Sequence, residues 1–307
     1  MTYLGVNGKP TPSNEAVISV MDHGFMYGMG LFETFRTYGG LPCLLDRHLE
    51  RLQEGCRVLG IPYAARRDRL EAEIAELLAL NGLEDAYLRL TVSAGQGPLG
   101  LTTEPYAMPA VILYVKPLPK SSPELYRLGK TLWRLSTPRN TPESGVRLKS
   151  LHYMNNMLAR RELAEYERLT AAAASAGKAG AVVRPQPAEG MMLTAEGFLA
   201  EGIASNLFFV RLGKLYTPEI GTGILPGITR WAVLELAGKH GWTVEEGRYT
   251  WDELREADEV FVTNSIQELV PITRLAEPGG SEVPVGSGEI GPVTERLLYF
   301  YRESVGS

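Results

Sequence analysis

Residues 116–123 read Lys-Pro-Leu-Pro-Lys-Ser-Ser-Pro, with Pro117, Pro119 and Pro123 falling inside seven residues. Proline lacks an amide N–H and fixes φ, so this stretch cannot lie inside a helix or a central strand. It splits the 307 residues into a shorter and a longer part. A chain of that length exceeds the size at which one hydrophobic core usually stops growing. Two domains are therefore expected, a smaller one over 1–117 and a larger one over 125–307, joined by a linker at 118–124.

Both parts mix strand and helix signals. Ala86–Val92 alternates apolar and polar residues, as a half-buried strand does, and Ala110–Val115 reads as a more buried one. Asp46 is a candidate N-cap for a helix carrying Leu49, Leu52 and Cys56, ended by Gly60 and Pro62. Leu70, Ile74, Leu77 and Leu78 mark a second helix, stopped at Asn81-Gly82. In the longer part, strands are predicted at Lys130–Leu135, Leu207–Val210 and Glu259–Thr263. Helices are predicted from Lys149 to about Arg168, with Met154, Met157 and Leu158 on one side, from Thr229 to His240, and around Leu297, Leu298 and Tyr301. Residues 171–188 are rich in alanine and glycine and have no apolar period, which predicts an exposed, flexible insertion.

Composition excludes several classes. Charged residues make up 22% and the net charge is −5, with no basic face, so nucleic acid is not an expected partner. No run approaches the roughly 20 apolar residues of a membrane helix. Met1–Gly5 lacks the basic-then-apolar pattern of a signal peptide, and a cytoplasmic location is expected. The four histidines are not spaced as metal ligands, and Cys43 and Cys56 form no CxxC, so neither a metal nor a disulfide is expected.

Three stretches can carry chemistry. Leu225-Pro226-Gly227-Ile228-Thr229-Arg230 opens a helix, where free N–H groups and the Thr229 hydroxyl would form an anion cup; it can equally be a plain Pro-Gly turn. Lys149 sits among Leu148, Leu151 and Met154; an apolar setting suits a Schiff-base lysine, while a snorkelling surface lysine has the same local sequence. Glu201 interrupts a nearly apolar run, either as a partner for a cationic ring nitrogen or as a turn residue before Gly202.

The order of Lys149, Glu201-Gly202, Leu225–Arg230 and Phe261-Val262-Thr263-Asn264-Ser265 closely resembles the fold-type IV pyridoxal-phosphate enzymes. Asp22–Arg36 and Asp46–Leu52 match as well, so the resemblance spans essentially the whole chain. The family includes branched-chain transaminases, D-amino-acid transaminases and 4-amino-4-deoxychorismate lyases. It implies an α/β (α+β) fold with a smaller N-terminal α/β domain and a larger C-terminal domain built on a β-barrel-like sheet. It also implies a homodimer and a pyridoxal 5'-phosphate cofactor held between the domains. Carried over, Lys149 is the catalytic, cofactor-bound lysine, and Glu201 pairs with the pyridine nitrogen. Arg51, Ile228, Thr229 and Ser265 match the phosphate-binding positions, and Gly227 and Asn264 are further cofactor-binding positions. Tyr153 matches a tyrosine that reaches the ring oxygen, one residue closer to the lysine than in branched-chain transaminases.

For the substrate, the resemblance is greatest to the lyase, with Thr34 near the substrate and Tyr27 lining the pocket. The turn Ser93–Gly100 lacks the Arg and His with which D-amino-acid transaminases grip a carboxylate, and branched-chain transaminases usually carry Gly where Thr34 stands. The expected activity is release of pyruvate from aminodeoxychorismate to give 4-aminobenzoate for folate biosynthesis. The alternatives are an aminotransferase acting on D- or branched-chain amino acids, and a non-catalytic anion-binding protein.

Overall fold

The computed structural model describes residues 1–120, 122–175 and 187–306. Among them the chain forms two compact units, one of Met1–Lys120 with Leu148–His152 and the last residues, the other of Ser121–Arg147 with Tyr153–Ser304. Residues 148–152 thus belong with the first unit, although they follow the proline-rich stretch. The fold is mixed α/β with two sheets, as expected.

The first unit is a six-stranded sheet in the order Lys9–Pro12, Tyr3–Val6, Ala110–Pro117, Ala86–Ser93, Gly30–Tyr38, Leu41–Pro42. Neighbouring strands run antiparallel. Two helices, Leu45–Val58 and Arg67–Asn81, bury Leu49, Leu52, Ile74 and Leu77 with Leu31, Phe35, Leu88 and Leu90 of the sheet. Strand residues alternate between faces. Leu31, Glu33 and Phe35 therefore share the helix-covered face, and Phe32 and Thr34 the other. The first helix does not start at an Asp46 cap. Its N-cap is Leu44, in a left-handed conformation at φ 50°, and Asp46 lies in the first turn, paired with Arg67. Burial of Leu45 sets the helix start two residues earlier than the capping rule predicts.

The second unit is a nine-stranded sheet in the order Val244–Gly247, Lys214–Pro218, Asn206–Arg211, Glu259–Asn264, Glu268–Ala276, Lys130–Arg134, Ala188–Leu193, Leu199–Gly202, with Val283–Pro284 beside Glu268–Ala276. Leu207, Phe209, Val260, Val262 and Leu254 fill its core. The helix Ile228–Lys239 follows a Gly227 N-cap, and Pro292–Val305 closes the chain.

The helix expected from Lys149 begins at Met154 and runs to Ser175. Instead, Ser150 forms an isolated antiparallel bridge to Leu31. The Phe32 N–H donates to the Lys149 carbonyl at 2.9 Å, and the Leu151 N–H donates to the Gly30 carbonyl at 3.0 Å. Leu41–Pro42 pairs only with Thr37 and Tyr38, so the start of strand Gly30–Tyr38 has an open edge, and residues 149–151 fill it. Met154, Met157 and Leu158 face outward, while Ala159 and Leu163 of the same helix are buried against Leu135 and Met192. Of the expected 171–188 insertion, 171–175 are helical and Ala188 starts a strand; 176–186 lie outside the described residues.

Candidate active site

In the first unit, the strand Gly30–Tyr38 carries Glu33 toward the helix Leu45–Val58, whose His48 and Arg51 lie one turn apart on the facing side. Glu33 and His48 are each 1% exposed. Arg51 grips the carboxylate with both prongs of its guanidinium, Nε to Oε1 at 2.8 Å and Nη2 to Oε2 at 2.6 Å. His48 Nδ1 lies 2.6 Å from Oε2. Burial alone would raise the Glu33 pKa, but the Arg51 charge and the hydrogen bonds from His48 and Arg51 outweigh it and hold the carboxyl down at about 2. Burial, with help from the Arg51 and Lys149 charges, pulls His48 below its ordinary value despite the Glu33 hydrogen bond. The pair is therefore a neutral imidazole donating from Nδ1–H to a carboxylate, rather than an ion pair.

On the opposite face of the strand, Lys149 Nζ sits 4.6 Å from the centre of the Phe32 ring, and the Arg89 guanidinium 3.6 Å from the same ring. Arg89 also lines a cavity of about 410 Å³ within this unit, with Asp22, Phe25, Thr91, Ser93 and Leu151. The Asp22 carboxylate accepts from the amides of Gly24 and Phe25 and from the Ser93 hydroxyl. Thr34 pairs with Arg89 across the two strands and so shares its face, but lies outside the cavity wall. Tyr27, also expected at the substrate, accepts a hydrogen bond from the Gly100 amide at its hydroxyl and from His152 Nε2 at its carbonyl.

In the second unit, Glu201 is the last residue but one of the strand Leu199–Gly202 and is 4% exposed. Its Oε1 accepts from Arg139 Nε at 2.7 Å. Its Oε2 accepts from the Leu225 amide at 2.9 Å and, more weakly, from Asn206 Nδ2 at 3.4 Å. Arg147 stands 3.8 Å from Oε1, and burial, reinforced by the Arg139 charge, lowers its pKa to about 10. Tyr153 lies in the same unit, directly before the helix Met154–Ser175.

The Leu225 amide leads directly into the helix start. Gly227 caps Ile228–Lys239 with no side-chain hydrogen bond to the first turn. A Cβ at Gly227 would lie 2.0 Å from Asn206 Oδ1, so the close approach requires glycine. Thr229 is buried, and its hydroxyl donates to Ser265 Oγ at 3.5 Å. The second unit thus brings Gly227, Ile228, Thr229 and Ser265 to one helix end. Asn264 is occupied differently: its Oδ1 accepts from the Ile266 and Gln267 amides and shapes the turn.

This donor set fits pyridoxal phosphate. A carboxylate offers about four lone-pair positions, and the bonds on Glu201 fill three, leaving one for a ring N–H. A helix end without a side-chain cap, with a threonine and a serine hydroxyl beside it, suits a phosphate. Sequence reasoning missed Glu33, His48, Arg139 and Arg147. Glu33 did carry a signal, a carboxylate at an apolar-face position between Leu31 and Phe35. Arg147 lies in the stretch Arg147-Leu148-Lys149-Ser150 that resembles the lyase, but Arg139 lies in an aperiodic segment and carried no signal. Among the described residues no group of three or more His, Cys, Asp or Glu is placed to hold a metal, and no helix is long and apolar enough to cross a membrane. Burial pushes the Cys56 thiol up to about 12, which leaves it inert.

A family model for amino-transferase class IV matches residues 30–275. The chain is 39% identical over 302 residues to the aminodeoxychorismate lyase of Bacillus subtilis (strain 168), covering 98% of this chain and 94% of that protein. It superposes on the crystal structure of the Pseudomonas aeruginosa 4-amino-4-deoxychorismate lyase with a TM-score of 0.79 and 31% identity, covering 99% of this chain and 100% of that one. It matches the T.th. branched-chain amino acid aminotransferase, crystallised with pyridoxamine 5'-phosphate, with a TM-score of 0.79 and 32% identity over 99% of this chain and 93% of that one.

Proposed function

The chain belongs to the class IV aminotransferase family, and within it we propose that this enzyme is a 4-amino-4-deoxychorismate lyase. The observation that carries the proposal is the 39% identity to the Bacillus subtilis lyase along 98% of the chain. The cofactor is pyridoxal phosphate. When bound, it supplies an electron sink that lets a bond near the substrate amine break.

The roles follow from the residues. Lys149 Nζ would hold the cofactor and, when free of it, would accept the proton from the substrate ring. The C–O bond to the enolpyruvyl group then breaks, and Lys149 returns a proton as that group leaves as pyruvate. The remaining ring becomes aromatic 4-aminobenzoate, an intermediate for folate synthesis. Glu201 would accept a hydrogen bond from the cofactor's ring nitrogen and keep it protonated. Ile228, Thr229 and Ser265 would donate to the phosphate from the helix Ile228–Lys239 and the turn after strand Glu259–Asn264, with Gly227 allowing the close approach. Arg51 adds positive charge in an orientation set by Glu33. Tyr153 would reach the ring oxygen. On the substrate side, Arg89 offers a cation to one of the two carboxylates of aminodeoxychorismate, with Tyr27 and Thr34 nearby in the same unit.

The second reading, an aminotransferase, is favoured by the equal TM-score to the branched-chain enzyme crystallised with pyridoxamine 5'-phosphate. Leucine or D-alanine added alone separates the two. A lyase leaves the cofactor absorbance unchanged, whereas stoichiometric conversion to pyridoxamine phosphate at the rate of catalysis would establish the aminotransferase.

We also propose a homodimer. Val17, Val20, Phe25, Leu99, Leu101 and Met108 of the first unit are exposed apolar side chains, more than scattered surface residues require. Sedimentation should give the mass of two chains; a monomer at micromolar concentration would contradict this.

A further inference from the structure

Glu201 is a short side chain at the end of a strand, and a carboxylate there can rotate. What fixes it is a chain of polar contacts that begins in the helix Met154–Ser175. Asn155 Nδ2 donates to the Pro138 carbonyl at 2.9 Å, and Asn156 Nδ2 donates to the Ile203 carbonyl at 2.6 Å. With their NH₂ groups committed to carbonyls, both amides must turn their Oδ1 atoms the other way. Those oxygens meet Arg139 Nη1, at 2.8 Å from Asn155 and 3.3 Å from Asn156, and Asn140 Oδ1 adds a third acceptor at 3.1 Å. Arg139 is 8% exposed. Its far end is thus clamped by three acceptors, and its Nε has one direction left, toward Glu201 Oε1 at 2.7 Å.

Arg147 does not do the same work. It donates to the carbonyls of Gly223 and Asn140, and at 3.8 Å from Oε1 it is beyond hydrogen-bond distance. On the other side of the carboxylate, the Leu225 amide pins Oε2. Three donors at fixed positions, Arg139 Nε on one oxygen and the Leu225 amide and Asn206 Nδ2 on the other, define the plane of the carboxylate and leave its remaining lone pair pointing one way.

We propose that Arg139 is the positioning residue that aims Glu201 at the cofactor's ring nitrogen, through the Asn155–Asn156–Arg139–Glu201 chain. The proposal rests on the reading of Glu201 as the ring partner. It concerns geometry more than charge, because the planar guanidinium is clamped at one end and donates from the other, which a lysine ammonium cannot reproduce.

The test loads the enzyme with ¹⁵N-labelled pyridoxal phosphate and reads the ring-nitrogen chemical shift. In Glu201→Gln the signal should move toward that of neutral pyridine. Arg139→Gln should move it the same way by at least half as much, and Arg139→Lys should not restore it. The apoprotein's affinity for inorganic phosphate should stay unchanged in all three, which distinguishes misaimed Glu201 from general disruption. Should Arg139→Gln fail to fold, Arg139→Lys alone decides. A wild-type shift in the Arg139 variants, with Glu201→Gln displaced, would overturn the positioning role. Full restoration by Arg139→Lys would assign the effect to charge and overturn it too. A wild-type shift in Glu201→Gln would instead overturn the reading of Glu201, and the inference with it.

Discussion

A carboxylate buried under a helix remains ionised only when its lone pairs are filled, and Glu33 is held in that way by Arg51 and His48. Because the fold favours the ionised form, its contribution to stability is complete above the ordinary carboxyl value of 4.5 and is lost as the pH falls toward about 2. The shift corresponds to roughly 3 kcal/mol. His48 adds to the same trend, since a histidine held neutral by burial loses its contribution as the pH falls below 6.5. Chemical denaturation of the apoprotein should therefore show Glu33→Gln destabilised by about 3 kcal/mol at pH 7, with the gap to wild type closing as the pH drops toward 3. A constant gap over that range would contradict the ionised-carboxylate assignment. At this scale legibility depended on whether a residue's role is written locally. Lys149 and Glu201 could be singled out because Lys149 sits among Leu148, Leu151 and Met154 and Glu201 interrupts a nearly apolar run. Arg139 could not, because its meaning comes from Asn155, Asn156 and Glu201, which are distant in sequence.

Among the elements, the helix start at Gly227 is the one whose local sequence most constrains what can bind. Replacing Gly227 with Ala drives a methyl group into Asn206 Oδ1, and Asn206 also holds the Leu225 carbonyl and touches Glu201. Overpacking of this kind costs about 1–3 kcal/mol. Gly227→Ala should lower the melting temperature by several degrees and weaken pyridoxal phosphate binding about tenfold or more, as followed by absorbance titration. Unchanged affinity would show that the helix end does not hold the phosphate. The strand and helix patterns of the first unit were largely legible, because an antiparallel sheet with one covered face writes its alternation into the sequence. The segment at Lys149 was not. Leu148, Leu151 and Met154 recur at helical spacing, yet residues 149–151 complete a sheet edge left open by the short strand Leu41–Pro42. Strand pairing is a long-range event that no local period reports.

For the whole molecule, the mixed α/β class and the family were legible, because the motif order runs through nearly the entire length. The reaction is harder to read, since lyases and aminotransferases of this family share the same scaffold. Removing the lysine tests the cofactor chemistry common to both: purified wild type should be yellow, and Lys149→Ala should lack the visible absorbance band even with pyridoxal phosphate added. A colourless wild type that stays colourless with added cofactor would contradict it. Bond cleavage in one substrate is what separates the lyase from the aminotransferase. Aminodeoxychorismate supplied by a coupled synthase should be converted to 4-aminobenzoate and pyruvate in equal amounts by the wild type and not by Lys149→Ala. No 4-aminobenzoate, together with rapid transfer of the amino group from leucine or D-alanine to 2-oxoglutarate, would contradict the account.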